Sequence, residues 1–188
     1  MKILLTAALS MALMFHSLGQ SPSDGGFTNK AEAKNEIVKG IKEGKWMEYE
    51  ILRITMYMEP EVLDTIGYSL IFYKNGKPLG LARFYGLDGI FYVETPYLNG
   101  LKNGIEKSYV NGKLHKESPY VDGVENGVEK EFYESGILKS ESTIVNGELT
   151  GYVKQYYPNG KLQSITPYKH YIIMGKIINY DEKGNKIE

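Results

Sequence analysis

The chain has no cysteine, only two arginines (Arg53 and Arg83) and a single tryptophan, Trp46. Without cysteine there is no disulfide staple and no thiolate chemistry, so stability has to come from packing and strand pairing. The scarcity of arginine removes the side chain best suited to bidentate phosphate recognition. An excess of positive charge is missing as well, since 22 Lys+Arg stand against 23 Asp+Glu. That balance gives no general electrostatic pull toward nucleic acid, and no such partner is expected. Beyond the first segment the only histidines are His115 and His170, and no close group of His, Asp and Glu has metal-ligand spacing, so neither a metal nor a cofactor is expected. A G-x-S-x-G elbow and a Ser-x-x-Lys arrangement are also lacking, and no carboxylate pair stands out from its surroundings. A non-enzymatic protein is expected.

What is present begins with an export signal. Lys2 followed by the apolar run Ile3 to Leu18 has the layout of a secretory signal, with Ser17 and Gly19 as the small residues that place cleavage after Gly19. The expected location is the periplasm or the cell exterior. Removing residues 1–19 takes away one lysine and no acid, leaving 21 bases against 23 acids, a net charge of −2. Residues 20–35, rich in Ser, Gly, Asn and Lys, read as a flexible lead-in.

From Gly40 onward a glycine-punctuated unit recurs about every 24 residues. Glycine pairs of the form G-x-x-x-G occur at Gly40/Gly44, Gly76/Gly80, Gly100/Gly104, Gly123/Gly127 and Gly147/Gly151. Five residues after each second glycine stands an aromatic: Tyr49, Tyr85, Tyr109, Phe132 and Tyr156. A second glycine register shares the period. In the unit starting at Gly104, Ile105 to Val110 reads as a strand, Asn111-Gly112 as a type I′ turn, and Lys113 to Val121 as the return strand. Asp88-Gly89, Ser135-Gly136, Asn159-Gly160 and Lys183-Gly184 are the corresponding turns. The predicted fold is all-β, with about seven tandem antiparallel hairpins over residues 36–188 forming one elongated twisted sheet or solenoid-like rod.

Alternation predicts which residues share a face. On the return strand, columns at +2 (Phe91, Leu114, Leu138, Leu162), +6 (Thr95, Ser118, Ser142, Thr166) and +8 (Tyr97, Tyr120, Ile144, Tyr168) from the turn glycine are expected to stack as ladders. On the outgoing strand, Arg83, Lys107, Lys130 and Lys154 at +3 share a face with Tyr85, Tyr109, Phe132 and Tyr156 at +5. Equivalent residues should recur roughly every 10 Å, a spacing close to a disaccharide step. These eight residues are the candidate binding site, with rings for stacking and cations for the acidic groups of an envelope polysaccharide. The simpler reading has the lysine stems lying over the rings with their charges in water.

The segments Lys39-Gly40-Ile41-Lys42-Glu43-Gly44-Lys45-Trp46-Met47-Glu48-Tyr49 and Gln155-Tyr156-Tyr157-Pro158-Asn159-Gly160-Lys161-Leu162 resemble the bacterial variant of the MORN repeat. That resemblance implies consecutive antiparallel hairpins and a role in protein–protein interaction or scaffolding. Many such proteins carry the label of YwqK-type antitoxin-like proteins, which implies a protein partner. A peripheral membrane role is a further alternative, against which the mature charge speaks.

Two departures from the repeat are candidate partner contacts. The first hairpin is longer than the rest, 36 residues from Gly40 to Gly76, and includes Tyr57 and Met58. In Lys169 to Gly175 the first glycine is replaced by Tyr171 and the loop turns apolar with Ile172 and Ile173. An end cap for the array is the favoured reading of this second segment, and a partner or dimer contact is the other. Oligomeric state is not legible.

Overall fold

The computed structural model describes residues 28–54 and 62–187. Signal-like residues 1–19 and the insertion residues Tyr57 and Met58 lie outside them. Within the predicted lead-in, Lys30–Glu32 form one 3-10 turn capped by Asn29, and the amides of Lys34 and Asn35 donate to the Lys45 carbonyl. All other elements are strands: β1 (Glu36–Val38), β2 (Ile41–Ile54), β3 (Val62–Lys74), β4 (Lys77–Gly86), β5 (Phe91–Leu98), β6 (Leu101–Lys102), β7 (Gly104–Val110), β8 (Lys113–Val121), β9 (Val124–Glu125), β10 (Gly127–Phe132), β11 (Leu138–Val145), β12 (Glu148–Tyr156), β13 (Leu162–Lys169), β14 (Ile172–Ile173), β15 (Ile178–Tyr180) and β16 (Lys186–Ile187). They join one antiparallel sheet in chain order, the all-β hairpin array that the period predicts. The long first unit is accounted for by β2 and β3, which stay paired from Gly44↔Tyr73 out to Ile54↔Val62.

Each G-x-x-x-G pair encodes two different backbone devices. The first glycine closes a two-residue turn. Leu98 pairs with Leu101 across Asn99-Gly100, and both turn residues have positive φ (53° and 90°), the type I′ geometry whose twist matches that of the strands. The second glycine sits in a bulge. Tyr97 pairs with Lys102 and Glu94 with Lys107, so the chain through Asn103 and Gly104 carries two more residues than the strand it faces. Opposite this break stands Pro96, tolerated inside the sheet because the ladder is interrupted there; its carbonyl accepts from the Asn103 amide at 2.9 Å. Pro119 and Pro167 repeat the arrangement, accepting from Asn126 and Met174.

Turns on the other edge differ from expectation. Of the five turns expected here, only Asn111-Gly112 is a two-residue turn with both φ positive. Asp88-Gly89, Ser135-Gly136, Asn159-Gly160 and Lys183-Gly184 are instead the ends of three-residue loops in which the glycine alone has positive φ. In the first of these the Gly89 amide donates to the Gly86 carbonyl and the Gly86 amide to the Ile90 carbonyl, each at 2.9 Å. That is a type I turn followed by a glycine bulge. The cause is length: the unit from Gly100 to Gly123 is 23 residues, one short of its neighbours, and the missing residue is in this loop.

Neighbouring units are tied at both edges. The amides of Gly100, Gly123 and Gly147 donate to the carbonyls of Pro78, Lys102 and Glu125. Across the other edge, the Tyr133 and Tyr157 hydroxyls donate to the carbonyls of Tyr156 and Tyr180. With one layer of sheet the core is thin: among the described residues Leu70, Tyr73, Ala82 and Ile144 are the buried hydrophobics, with Ser69, Thr95, Ser118 and Ser164 the buried polar residues. Strand pairing therefore carries the stability that a larger domain would draw from its core.

The bulge glycine is constrained twice. At Gly127 φ is 135° and an added Cβ would lie 2.8 Å from Pro119 Cγ, whereas at Gly112 φ is 72° and nothing lies within 4 Å. We expect Gly127→Ala to cost about 3 kcal/mol and Gly112→Ala about 1 kcal/mol, read as shifts in urea midpoint at unchanged slope.

Candidate docking face

The predicted cations and rings do share a face, but the company they keep was not foreseen. Arg83 pairs across strands with Glu94, Glu94 with Lys107, and Lys107 with Glu117. Glu117 pairs with Lys130, Lys130 with Glu141, and Glu141 with Lys154. Seven neighbouring strands thus carry charges of strictly alternating sign. Arg83 Nη2 lies 3.0 Å from Glu94 Oε1 and Lys154 Nζ lies 3.6 Å from Glu141 Oε2. The candidate cations are rungs of a charge ladder, Lys107 and Lys130 set between two carboxylates and the end rungs Arg83 and Lys154 beside one; opposite charges facing each other across a sheet contribute a few tenths to 1 kcal/mol per pair.

On one side of this ladder runs a row of rings. Tyr68 and Tyr85 stack at 5.3 Å and 12°, Tyr85 meets Phe91 at 5.5 Å, and Phe91 meets Tyr109 at 4.9 Å. Leucines complete the row, with Leu114 opposite Tyr109, Leu138 opposite Phe132 and Leu162 opposite Tyr156. The row is pinned to the ladder by phenol hydroxyls: Tyr156 donates to Glu141 at 3.0 Å and Tyr109 to Glu94 at 3.4 Å. Burial, then the hydrogen bond to the Glu141 carboxylate, pushes the Tyr156 phenol up to about 12.

The +2 column belongs to this ring row, but +6 and +8 do not, which corrects the expectation of one common face. Phe84 pairs with Val93 and Tyr85 with Phe91, so Tyr92 is an extra residue and reverses the alternation beyond it. Thr95, Ser118, Tyr97 and Tyr120 consequently lie on the opposite face. Thr95 Oγ1 donates to Glu106 Oε2 at 2.7 Å, Lys102 Nζ pairs with Glu106 at 2.5 Å, and Lys102 lies 4.7 Å from the Tyr120 ring centre. A second cation, Lys42, lies 5.0 Å from both the Trp46 and Tyr73 rings, and Lys30 lies 5.4 Å from the Tyr68 ring of the ring row.

On the other side of the ladder lies the feature that sequence reading missed. Ile105, Val128 and Tyr152 alternate with the ladder cations on their own strands and are 50%, 46% and 58% exposed. They pair with Pro119, Thr143 and Pro167. Beyond them, on the same face, most residues flanking these type I′ turns are apolar and exposed too, namely Leu98, Leu101, Val121, Val124, Val145 and Ile172, with Glu148 and Lys169 the charged exceptions. Together they make an exposed apolar band across strands β5 to β14, the kind of contiguous patch that marks an interaction surface. The period itself could have revealed it, since each apolar residue sits one place after a glycine of the G-x-x-x-G pair, or after Tyr171 in its place, or one place before the turn.

Tyr171, Ile172 and Ile173 do not cap the sheet, because β15 and β16 continue beyond them. His170-Tyr171 is the type I′ turn of this unit, with positive φ at two non-glycine residues (49° and 65°). The Tyr171 hydroxyl donates to the Gly147 carbonyl at 2.6 Å, which ties the strained turn to its neighbour. Ile172 extends the apolar band, while Ile173 faces the opposite side. His170 pairs with Glu148; among the described residues no group of three His, Cys, Asp or Glu could hold a metal ion.

An open, repeating face of this kind defines a solenoid-like interaction module rather than a concave small-molecule site. The family model of the MORN repeat variant matches residues 125–146 and 149–170, two adjacent hairpin units. These units are MORN-variant repeats, a type of module that in general engages proteins or membranes. No curated protein matches the chain.

The opposite face carries one perturbed acid. Burial, then the hydrogen bond shared with Glu129, pushes the Glu125 carboxyl up to about 7, and its Oε1 is buried without a hydrogen-bond partner. Because the folded chain then holds this proton more tightly than the unfolded one, stability falls as pH rises from the ordinary carboxylate range to about 7. Glu125→Gln should raise stability by about 1 kcal/mol at pH 8, solvent screening limiting the gain, and change little at pH 4. Thermal melts at the two pH values check this; equal shifts at both would contradict it.

Proposed function

We propose that this is an exported, non-enzymatic scaffold whose ladder face docks a protein partner. The observation that carries this reading is the exposed apolar band beside a charge ladder of alternating sign. Apolar area supplies affinity, and alternating charge discriminates one register of a partner from the next. Export rests on the N-terminal sequence, and the absence of enzymatic chemistry on the regularity of the array, in which polar side chains recur unit by unit instead of converging. An antitoxin-like role is one form of such docking.

A glycan remains the second reading, favoured by the continuous ring row from Tyr68 to Tyr109. It fits a neutral polysaccharide better than an acidic one, because carboxylates stand between the cations.

A benzophenone photoprobe at Val128 or Tyr152, in cells carrying the full chain, should capture a protein, while the same probe at Lys116 on the opposite face should not. Capture of no protein from either band position would overturn the docking reading.

A further inference from the structure

We propose that the occupant of the ladder face is a second copy of this chain, stacked face to face about a two-fold axis parallel to the strands. The inference rests on the reading of that face as a protein-docking surface and names the partner. Three features of the molecule support it.

The first is the arithmetic of the ladder. A two-fold axis along the strand direction reverses strand order between copies but keeps the three rows at their heights, so band meets band, ladder meets ladder and rings meet rings. An axis passing over a strand sets each charge against one of like sign. An axis passing between two adjacent strands sets each against its opposite. Between β8 and β10, Glu117 of each copy faces Lys130 of the other, Lys107 faces Glu141, and Glu94 faces Lys154. Such an interface is isologous and closes on itself, leaving no surface to propagate. Slipping the stack so that the axis moves by half a strand spacing turns every facing pair repulsive, so the ladder fixes the register.

The second feature is the driving force. Val121, Val124 and Val128 lie beside this axis and are 40%, 46% and 46% exposed. Leu101 and Ile105 of β6 and β7 come over β11, which carries Val145, and Leu98 of β5 comes over β12, which carries Tyr152, all of them exposed. Stacked sheets sit about 10 Å apart with inner side chains interdigitating, the distance at which these side chains touch. Since charge pairs buried between sheets gain little net energy, the band provides affinity and the ladder selects the arrangement. The usual angle of about 30° between stacked sheets concentrates the contact at the central strands, where these valines are.

The third is area. From β4 to β13 the face spans eight strands. At about 4.8 Å between strands and roughly 26 Å along each, its footprint is on the order of 1,000 Å² per copy, above the roughly 800 Å² per partner of a standard stable interface.

The absence of cysteine makes the test clean. The full chain, purified without other proteins, should sediment as a dimer at micromolar concentration. Val128→Asp, on an exposed position that the fold does not need, should weaken dimerisation at least tenfold with an unchanged circular dichroism spectrum. Because the sheets stand about 10 Å apart, too far for a direct disulfide, Val128→Cys should be joined into a covalent dimer by a short bismaleimide linker, and Lys116→Cys, on the opposite face, should not. A wild-type chain monomeric at 100 micromolar, or a dimer indifferent to Val128→Asp and cross-linked equally from Lys116→Cys, would overturn the inference. If the purified chain is monomeric while band photoprobes capture a different protein in cells, the second-copy inference fails and the docking function stands. If the probes capture nothing as well, both fail.

Discussion

Everything in this molecule depends on carrying one antiparallel ladder of hydrogen bonds through a turn and a bulge in every unit. A single sheet layer buries few side chains completely, Leu70 most of all, so no hairpin has a core of its own to retreat to. Each unit is held by the next through strand pairing and through edge bonds such as Gly123 to Lys102 and Tyr157 to Tyr180. The glycine pair is the joint that makes this repeatable. Its first member reverses the chain, and its second takes up two surplus residues opposite Pro96, Pro119 or Pro167, where the ladder is already open.

The same joint decides what each face presents. Side chains alternate with a period of two, so any irregularity in strand pairing determines which columns meet. The irregularity after Phe91 leaves the +2 residue with the rings while sending Thr95 and Tyr97 to the other side. As a result one face gathers rings, an alternating charge ladder and an exposed apolar band in parallel rows. The other gathers small buried hydroxyls, Tyr97, Tyr120 and the acids Glu106, Glu125 and Glu129. Opposite charges at neighbouring rungs keep the ladder face electrically quiet despite its density of ions, which suits recognition by shape and register more than by net charge.

Much of this was legible in the chain. The 24-residue period, the paired glycines and the aromatic at +5 are enough to establish the hairpin array and the common face of Lys107 and Tyr109. Three things were not legible. Turn type follows from loop length, and the one-residue deficit of the unit between Gly100 and Gly123 makes Asn111-Gly112 look typical when it is the exception. Bulges leave no residue signature strong enough to locate the change of face after Phe91, and without them the carboxylates of Glu94, Glu117 and Glu141 cannot be placed beside the cations. The apolar band escaped notice because its members, such as Ile105 and Val128, read as ordinary strand residues until the sheet is seen to have no second layer.

The central claim is the register: Lys130 lies between Glu117 and Glu141, with bulges on either side holding it there. Backbone nuclear Overhauser effects across β8, β10 and β11 measure this directly. The account predicts cross-strand contacts from Lys130 to both Glu117 and Glu141. Contacts instead to Lys116 or Ser118 and to Ser140 or Ser142 would shift the alternation by one residue, dissolve the charge ladder and contradict the assignment of both faces.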